Sequence, residues 1–158
     1  MSSSFTHLLI HIIFSTKHRQ PSLAKPLRDR LHAYMGGIVL HERGSVLAIG
    51  GVEDHVHLLI RLRPDQCVSD LVRLIKCNSA RWANQLPEEP NGLVWQAGYS
   101  AFSVSLSQAN RLVRYIQEQE EHHRHVSFRE EYEAFLKRHG MTPPPWSNMD
   151  EAEGDEAE

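Results

Sequence analysis

Alternating and helical hydrophobic periods follow one another along this 158-residue chain in the order strand, helix, strand, strand, helix, strand. That order predicts an α+β fold, a split βαβ antiparallel sheet of ferredoxin-like type, with additional C-terminal helices. Two further observations agree with it. The composition, 41% hydrophobic and 23% charged, is that of a folded globular protein. The length allows one compact domain with a tail rather than two full domains.

From Phe5 to Ser15 the residues alternate, with Leu8, Ile10, Ile12 and Phe14 on one side and His7, Leu9, His11, Ile13 and Ser15 on the other, which predicts a first strand. Pro21-Ser22 opens a segment to about His41 in which Leu23, Leu27, Leu31, Tyr34, Met35 and Ile38 recur at helical spacing. Val46 to Gly51 and Val56 to Leu62 are apolar runs joined by a short acidic link, as in a hairpin. After Pro64-Asp65, the stripe Val68, Leu71, Val72, Ile75, Ala80 and Ala83 predicts a second helix ending near Pro87. Ala101 to Leu106 predicts a fourth strand, with Ser107 as the cap of a helix through Leu112, Val113 and Ile116. A last helix, Phe128 to Arg138, stops at Gly140 and the run Pro143 to Pro145. These boundaries predict one domain over 1–141 and a flexible, proline-containing acidic tail over 142–158. With the core helices on one face of the sheet, the other face is expected to be open.

The net charge of -3 comes from the tail. The last nine residues hold six acids and no base, so residues 1–149 carry 17 basic side chains against 14 acidic, a balance that permits nucleic-acid contact. No apolar run reaches the roughly 18 residues of a membrane span, and the Met1-Ser-Ser-Ser start lacks signal-peptide character, so a cytoplasmic location without membrane contact is expected. Cys67 and Cys77 are too few and too badly spaced for a disulfide framework or a zinc site.

The chemistry is concentrated in the histidines. On the third strand Val56, Leu58, Ile60 and Leu62 point one way, while His55, His57, Leu59, Arg61 and Arg63 point the other. Two histidines at i and i+2 project in parallel and can reach one cation from the face where a packing histidine is least needed. A pair is an incomplete ligand set. Tyr115 and Gln119, at i and i+4 on the helix after the fourth strand, share one surface stripe and can face the histidines. Imidazole with a carboxamide oxygen and water suits Mg²⁺ or Mn²⁺. On its own, a tyrosine at such a position reads foremost as a half-buried packing residue.

Three separated segments then carry a resemblance: Gly50-Gly51-Val52-Glu53-Asp54-His55-Val56-His57-Leu58-Leu59, Trp95-Gln96-Ala97-Gly98-Tyr99-Ser100-Ala101-Phe102-Ser103-Val104-Ser105, and Tyr115-Ile116-Gln117-Glu118-Gln119-Glu120-Glu121-His122-His123. Together with Phe14-Ser15-Thr16-Lys17 and Ser127-Phe128-Arg129-Glu130-Glu131, the sequence resembles the single-tyrosine HUH transposases of insertion sequences that move as single-stranded DNA. The similarity runs from about Phe5 to Gly140. It implies a ferredoxin-like homodimer in which His55, His57 and Gln119 hold Mg²⁺ or Mn²⁺ and Tyr115 is the nucleophile, with the tyrosine helix often completing the partner subunit's active site. It also implies a substrate, single-stranded DNA with hairpin ends, and a 5′-phosphotyrosine intermediate. Glu53-Asp54 departs from the family, in which a proline commonly precedes the first histidine.

Candidate phosphate contacts are Lys17, Arg19, Arg61, Arg63, Arg73, Lys76 and Arg81. Trp82, Trp95, Tyr99 and Phe102 are candidates for stacking on unpaired bases, although aromatic residues beside strands more often serve the core. His122 and His123 follow Gln119 closely enough to approach the metal or the DNA but read foremost as exposed. Two other functions fit parts of the pattern. One is a domesticated hairpin-binding protein without mobilising activity, and the other is a metal-dependent phosphoesterase that uses water and leaves Tyr115 a structural part.

Overall fold

A computed structural model describes residues 3–88 and 92–143 of the chain. The elements are β1 (Leu8–Ser15), α1 (Lys25–His41), β2 (Ser45–Gly51), β3 (His55–Leu62), α2 (Val68–Asn84), β4 (Ser100–Val104), α3 (Leu106–Gln117), α4 (Gln119–His122) and α5 (Phe128–Arg138). The strands form one four-stranded sheet in the order β2-β3-β1-β4, with antiparallel neighbours throughout. This is the split βαβ arrangement expected from the order of hydrophobic periods. Among the described residues, no helix is long and apolar enough to cross a membrane. Of the expected tail, everything from residue 144 on lies outside the described residues.

Strand parity divides the core in two. Ile12, Phe14, Val56, Leu58, Ile60 and Leu62 face α1 and α2, which supply Leu27, Leu31, Met35 and Val39, and Leu71, Val72, Ile75 and Ala83. Each such side chain removed from water contributes on the order of 1.5–3 kcal/mol. The second face is not open, contrary to the expectation from sequence. Leu9, Ala48 and Leu59 pack on Ala109 and Ile116 of α3, while Ile13 and Phe102 pack on Phe128, Phe135 and Leu136 of α5. The additional C-terminal helices are therefore a second layer, and they bury the polar side of β3: His55 and His57 are both 0% exposed.

Local chemistry corrects several boundaries. β1 begins at Leu8 rather than Phe5, which is 94% exposed. α1 begins at Lys25, with a proline in its first turn where the missing N–H costs no helical bond. Ser107 is not the cap of α3; Ser105 occupies that position, and the two hydroxyls lie 3.1 Å apart. Ser127 does cap α5 with its side chain, accepting the Glu130 N–H. At Gly50 the backbone of β2 passes so close to α3 that a Cβ would fall inside the Ile116 carbonyl, and only glycine allows that approach.

Candidate active site

The site begins with β3. His55 lies opposite Ser15 of β1, and His57 lies between Ile13 of β1 and Gly50 of β2, so both imidazoles project into the layer between sheet and C-terminal helices. Asp54 precedes the strand and accepts from His55 Nδ1 at 2.7 Å. His11, two residues from Ile13 on β1, places Nε2 at 2.8 Å from His57 Nδ1, with the two rings stacked 5.1 Å apart. Strand parity put His11 on this face; its contact with His57 was not anticipated.

Helices α3 to α5 close over the imidazoles. Tyr115 is in the last turn of α3, and the helix breaks at Glu118 before Gln119 starts the short α4, so the two do not share one continuous helix as their spacing suggested. Their side chains nevertheless converge. Gln119 Oε1 is 3.2 Å from His55 Nε2 and 3.0 Å from His123 Nε2, while its Nε2 donates to Glu131 Oε2 at 3.2 Å. Buried Arg28 of α1 holds α4 down through Glu120, at 2.7 Å.

Glu131 of α5 stands at the centre. Its Oε1 is 2.7 Å from His57 Nε2 and 3.4 Å from His55 Nε2. Its Oε2 is 3.2 Å from both His122 Nε2 and His123 Nε2, and it accepts a hydrogen bond from the Tyr115 hydroxyl. The same hydroxyl lies 3.0 Å from His122 Nε2. Sequence reasoning assigned no role to Glu131, and it read His123 foremost as exposed, whereas the His123 side chain is only 9% exposed. The available signals were the place of Glu131 in the last matched motif and the i+4 spacing of His123 from Gln119.

Charge and burial compete here. Burial opposes the imidazolium of His55, but the Asp54 and Glu131 carboxylates outweigh it and push the pKa up to about 9. His57, wholly enclosed, goes the other way, down to about 4, because burial outweighs its bond to Glu131. His11 is also held well below its ordinary value by burial and by His57. Burial pulls the Glu131 carboxyl upward, yet hydrogen bonds from His123, His55 and His57 hold it far below the usual carboxylate range. The Tyr115 phenol is raised by burial and then by its bond to Glu131.

The donor set suits a divalent cation. One atom from each of His55, His57, His123 and Glu131 lies within 4.8 Å of the others. The Nδ1 of His55 meets Asp54 and that of His123 meets the Val126 carbonyl at 2.7 Å, the outer-partner pattern that orients metal-binding imidazoles.

Beside Tyr115 a groove of about 1010 Å³ runs between β4, α3 and α5, lined by Phe102, Arg111, His122, Arg138 and His139 among others. Arg111 and Arg138 were not among the cations singled out from sequence. Those that were singled out are dispersed: Arg61, Arg73 and Arg81 are exposed, Arg63 pairs with Asp65 at 2.8 Å, and Lys17 and Arg19 sit in the turn after β1. Lys76 is committed within the protein, donating to the carbonyls of Gln96 and Gly98. Of the aromatic candidates, Trp95 is buried with its indole N–H on Ser79, Trp82 stacks on Tyr34, and Phe102 is buried under His139. Tyr99 is exposed.

Residues 4–119 match the sequence profile of the family described as "Transposase IS200 like". The chain is 30% identical over 114 residues to the ISDra2 transposase TnpA of Deinococcus radiodurans, an alignment covering 69% of this chain and 81% of that one. It superposes with a TM-score of 0.59 and 26% identity on the crystal structure of a Deinococcus radiodurans protein described as a transposase, over 75% of this chain and 95% of that one. A REP-associated tyrosine transposase bound to a REP hairpin gives a TM-score of 0.56 at 15% identity, over 75% and 72% of the two chains, a likeness of fold.

Proposed function

Because the chain belongs to the IS200-like transposase family, we propose that it is a metal-dependent transposase that cleaves and rejoins single-stranded DNA at hairpin-bearing ends through a 5′-phosphotyrosine on Tyr115. The observation that carries this reading is the meeting, in one chain, of the Tyr115 hydroxyl with the cluster that holds His55, His57 and Gln119, all three linked through Glu131.

His55, His57 and Gln119 would hold the divalent ion, Mg²⁺ or Mn²⁺. When bound, such an ion polarises the scissile phosphodiester and offsets charge developing on its oxygens. The protein supplies the nucleophile. The phenolic oxygen bonds to phosphorus, the bond from phosphorus to the 3′-oxygen breaks, and the phenol proton has the Glu131 carboxylate beside it as acceptor. The 3′-oxygen leaves protonated. The phosphodiester energy is retained in the tyrosyl ester, so a second strand's 3′-hydroxyl can reverse the step and join without ATP. Water would give only a nick.

Arg111 and Arg138 flank the groove that reaches Tyr115, which suits it to the scissile strand. Exposed Arg61, Arg73 and Arg81, with Lys17, Arg19 and Arg63, are left for phosphates of the hairpin, and the internal bonds of Lys76 argue for a structural part. The partner proposed from family resemblance is a second copy of the chain.

The test is a denaturing gel of the protein with an end-labelled hairpin-bearing single strand. A covalent adduct should form with Mg²⁺ or Mn²⁺, vanish with chelator, and be absent for Tyr115→Phe while hairpin binding persists. Binding without any adduct would favour the domesticated reading, and turnover without an adduct the phosphoesterase.

A further inference from the structure

Gln119 ends the segment that matches the family profile, yet half of the polar cluster comes from beyond it: His123 follows α4 and Glu131 lies on α5. The hydrogen-bond inventory explains why they matter. An imidazole oriented by an outer partner at one ring nitrogen presents the other to the site. The Asp54 carboxylate holds Nδ1 of His55, and the Val126 carbonyl holds Nδ1 of His123. The Nε2 of each ring faces inward, toward oxygens: Gln119 Oε1 at 3.2 and 3.0 Å, and Glu131 at 3.4 and 3.2 Å. His57 Nε2 joins them at 2.7 Å from Glu131 Oε1. One atom from each of His55, His57, His123 and Glu131 lies within 4.8 Å of the others, a buried convergence of nitrogen and carboxylate donors that suits a dication.

Building on the metal-dependent reading above, we propose that His123 and Glu131 are ligands of the same divalent ion as His55 and His57, a donor set of three imidazoles and one carboxylate that selects a transition-series dication such as Mn²⁺ or Co²⁺ over Mg²⁺. Mg²⁺ dehydrates reluctantly and favours oxygen, whereas imidazole nitrogen suits the later first-row ions. The Gln119 carboxamide oxygen lies at the same focus. A carboxylate among the ligands also makes the site bind its ion before DNA arrives, since an anionic donor is already present without the phosphate.

The full-length protein, stripped of metal, is titrated calorimetrically with MnCl2 and with MgCl2 in the absence of DNA. One Mn²⁺ per chain is expected, bound at least tenfold more tightly than Mg²⁺, and Glu131→Gln and His123→Ala should each weaken Mn²⁺ on the order of 100-fold, as His55→Ala should. Circular dichroism checks that each variant folds. Where Glu131→Gln does not fold, pulsed electron paramagnetic resonance on the Mn²⁺-loaded wild type counts the coordinated imidazoles: three supports the assignment and two overturns it. Equal affinity for the two ions, or no binding without DNA, also overturns it. A weakened His55→Ala beside unaffected Glu131→Gln and His123→Ala defeats this ligand set and leaves the transposase reading standing. Three coordinated imidazoles without any DNA adduct would do the reverse.

Discussion

The Tyr115 hydroxyl donates to Glu131, the same carboxylate that faces His55 and His57. The proposed nucleophile and the paired imidazoles of β3 are therefore joined through one side chain from α5. That joint raises the phenol above its ordinary pKa, after the larger effect of burial, because a carboxylate beside it disfavours the phenolate.

Replacing Glu131 by glutamine in the metal-free protein should lower the Tyr115 pKa toward the ordinary tyrosine value of about 10. The measurement is the ultraviolet absorbance of phenolate against pH, with Tyr115→Phe subtracted. An unchanged titration would show that Glu131 does not govern the phenol.

The same substitution leaves buried imidazoles without their counter-charge. A loss of about 3 kcal/mol is expected in denaturant unfolding of the metal-free chain, the usual cost of removing one partner from a buried ion pair.

His32 of α1 gives the fold a pH dependence away from the site. Burial, with Arg28 nearby, pushes its pKa down to about 4, and its Nε2 has no partner. The unfolded chain binds a proton there near pH 6.5 and the folded one only near 4, so this contribution is complete above pH 6.5 and disappears as pH falls toward 4. Urea unfolding at pH 7.5 and pH 5 should show His32→Phe losing less stability on acidification than the wild type, by on the order of 2 kcal/mol.

Gly50→Ala should lower stability by about 1–3 kcal/mol through overpacking, since the new methyl meets the Ile116 carbonyl one residue from Tyr115. Thermal unfolding measures the loss. Adduct formation by the folded fraction should fall as well, because α3 must shift to admit the methyl.

Arg111→Glu and Arg138→Glu should each weaken binding of an unstructured single strand and lower the slope of log affinity against log salt by about 1 for a lost phosphate contact. Hairpin binding, assigned to other cations, should change little. Equal losses on both ligands would remove the groove from the path of the scissile strand.

Much of this was legible because periodicity is local. The 2.0 and 3.6 repeats gave the element order, and the parity of β3 put His55 and His57 on the opposite side from Val56 and Leu58, as found. The covering layer was not legible in the same way. Phe128, Phe135 and Leu136 are spaced for a helix, but nothing local says which face of the sheet a helix will cover. Glu131 was harder still: in the run Arg129-Glu130-Glu131 it looks like solvated surface, and only the docking of α5 turns it inward to 2% exposure. Arg111 is one helical turn before Tyr115, a clue that a search for basic clusters passes over.

The family profile stops at residue 119, twelve positions short of Glu131. Trimming the gene at that edge would spare the paired histidines, the tyrosine and Gln119, while discarding the only carboxylate among the described residues that touches them all. Within this chain the conspicuous signature borrows its negative charge from an inconspicuous neighbour on a later helix.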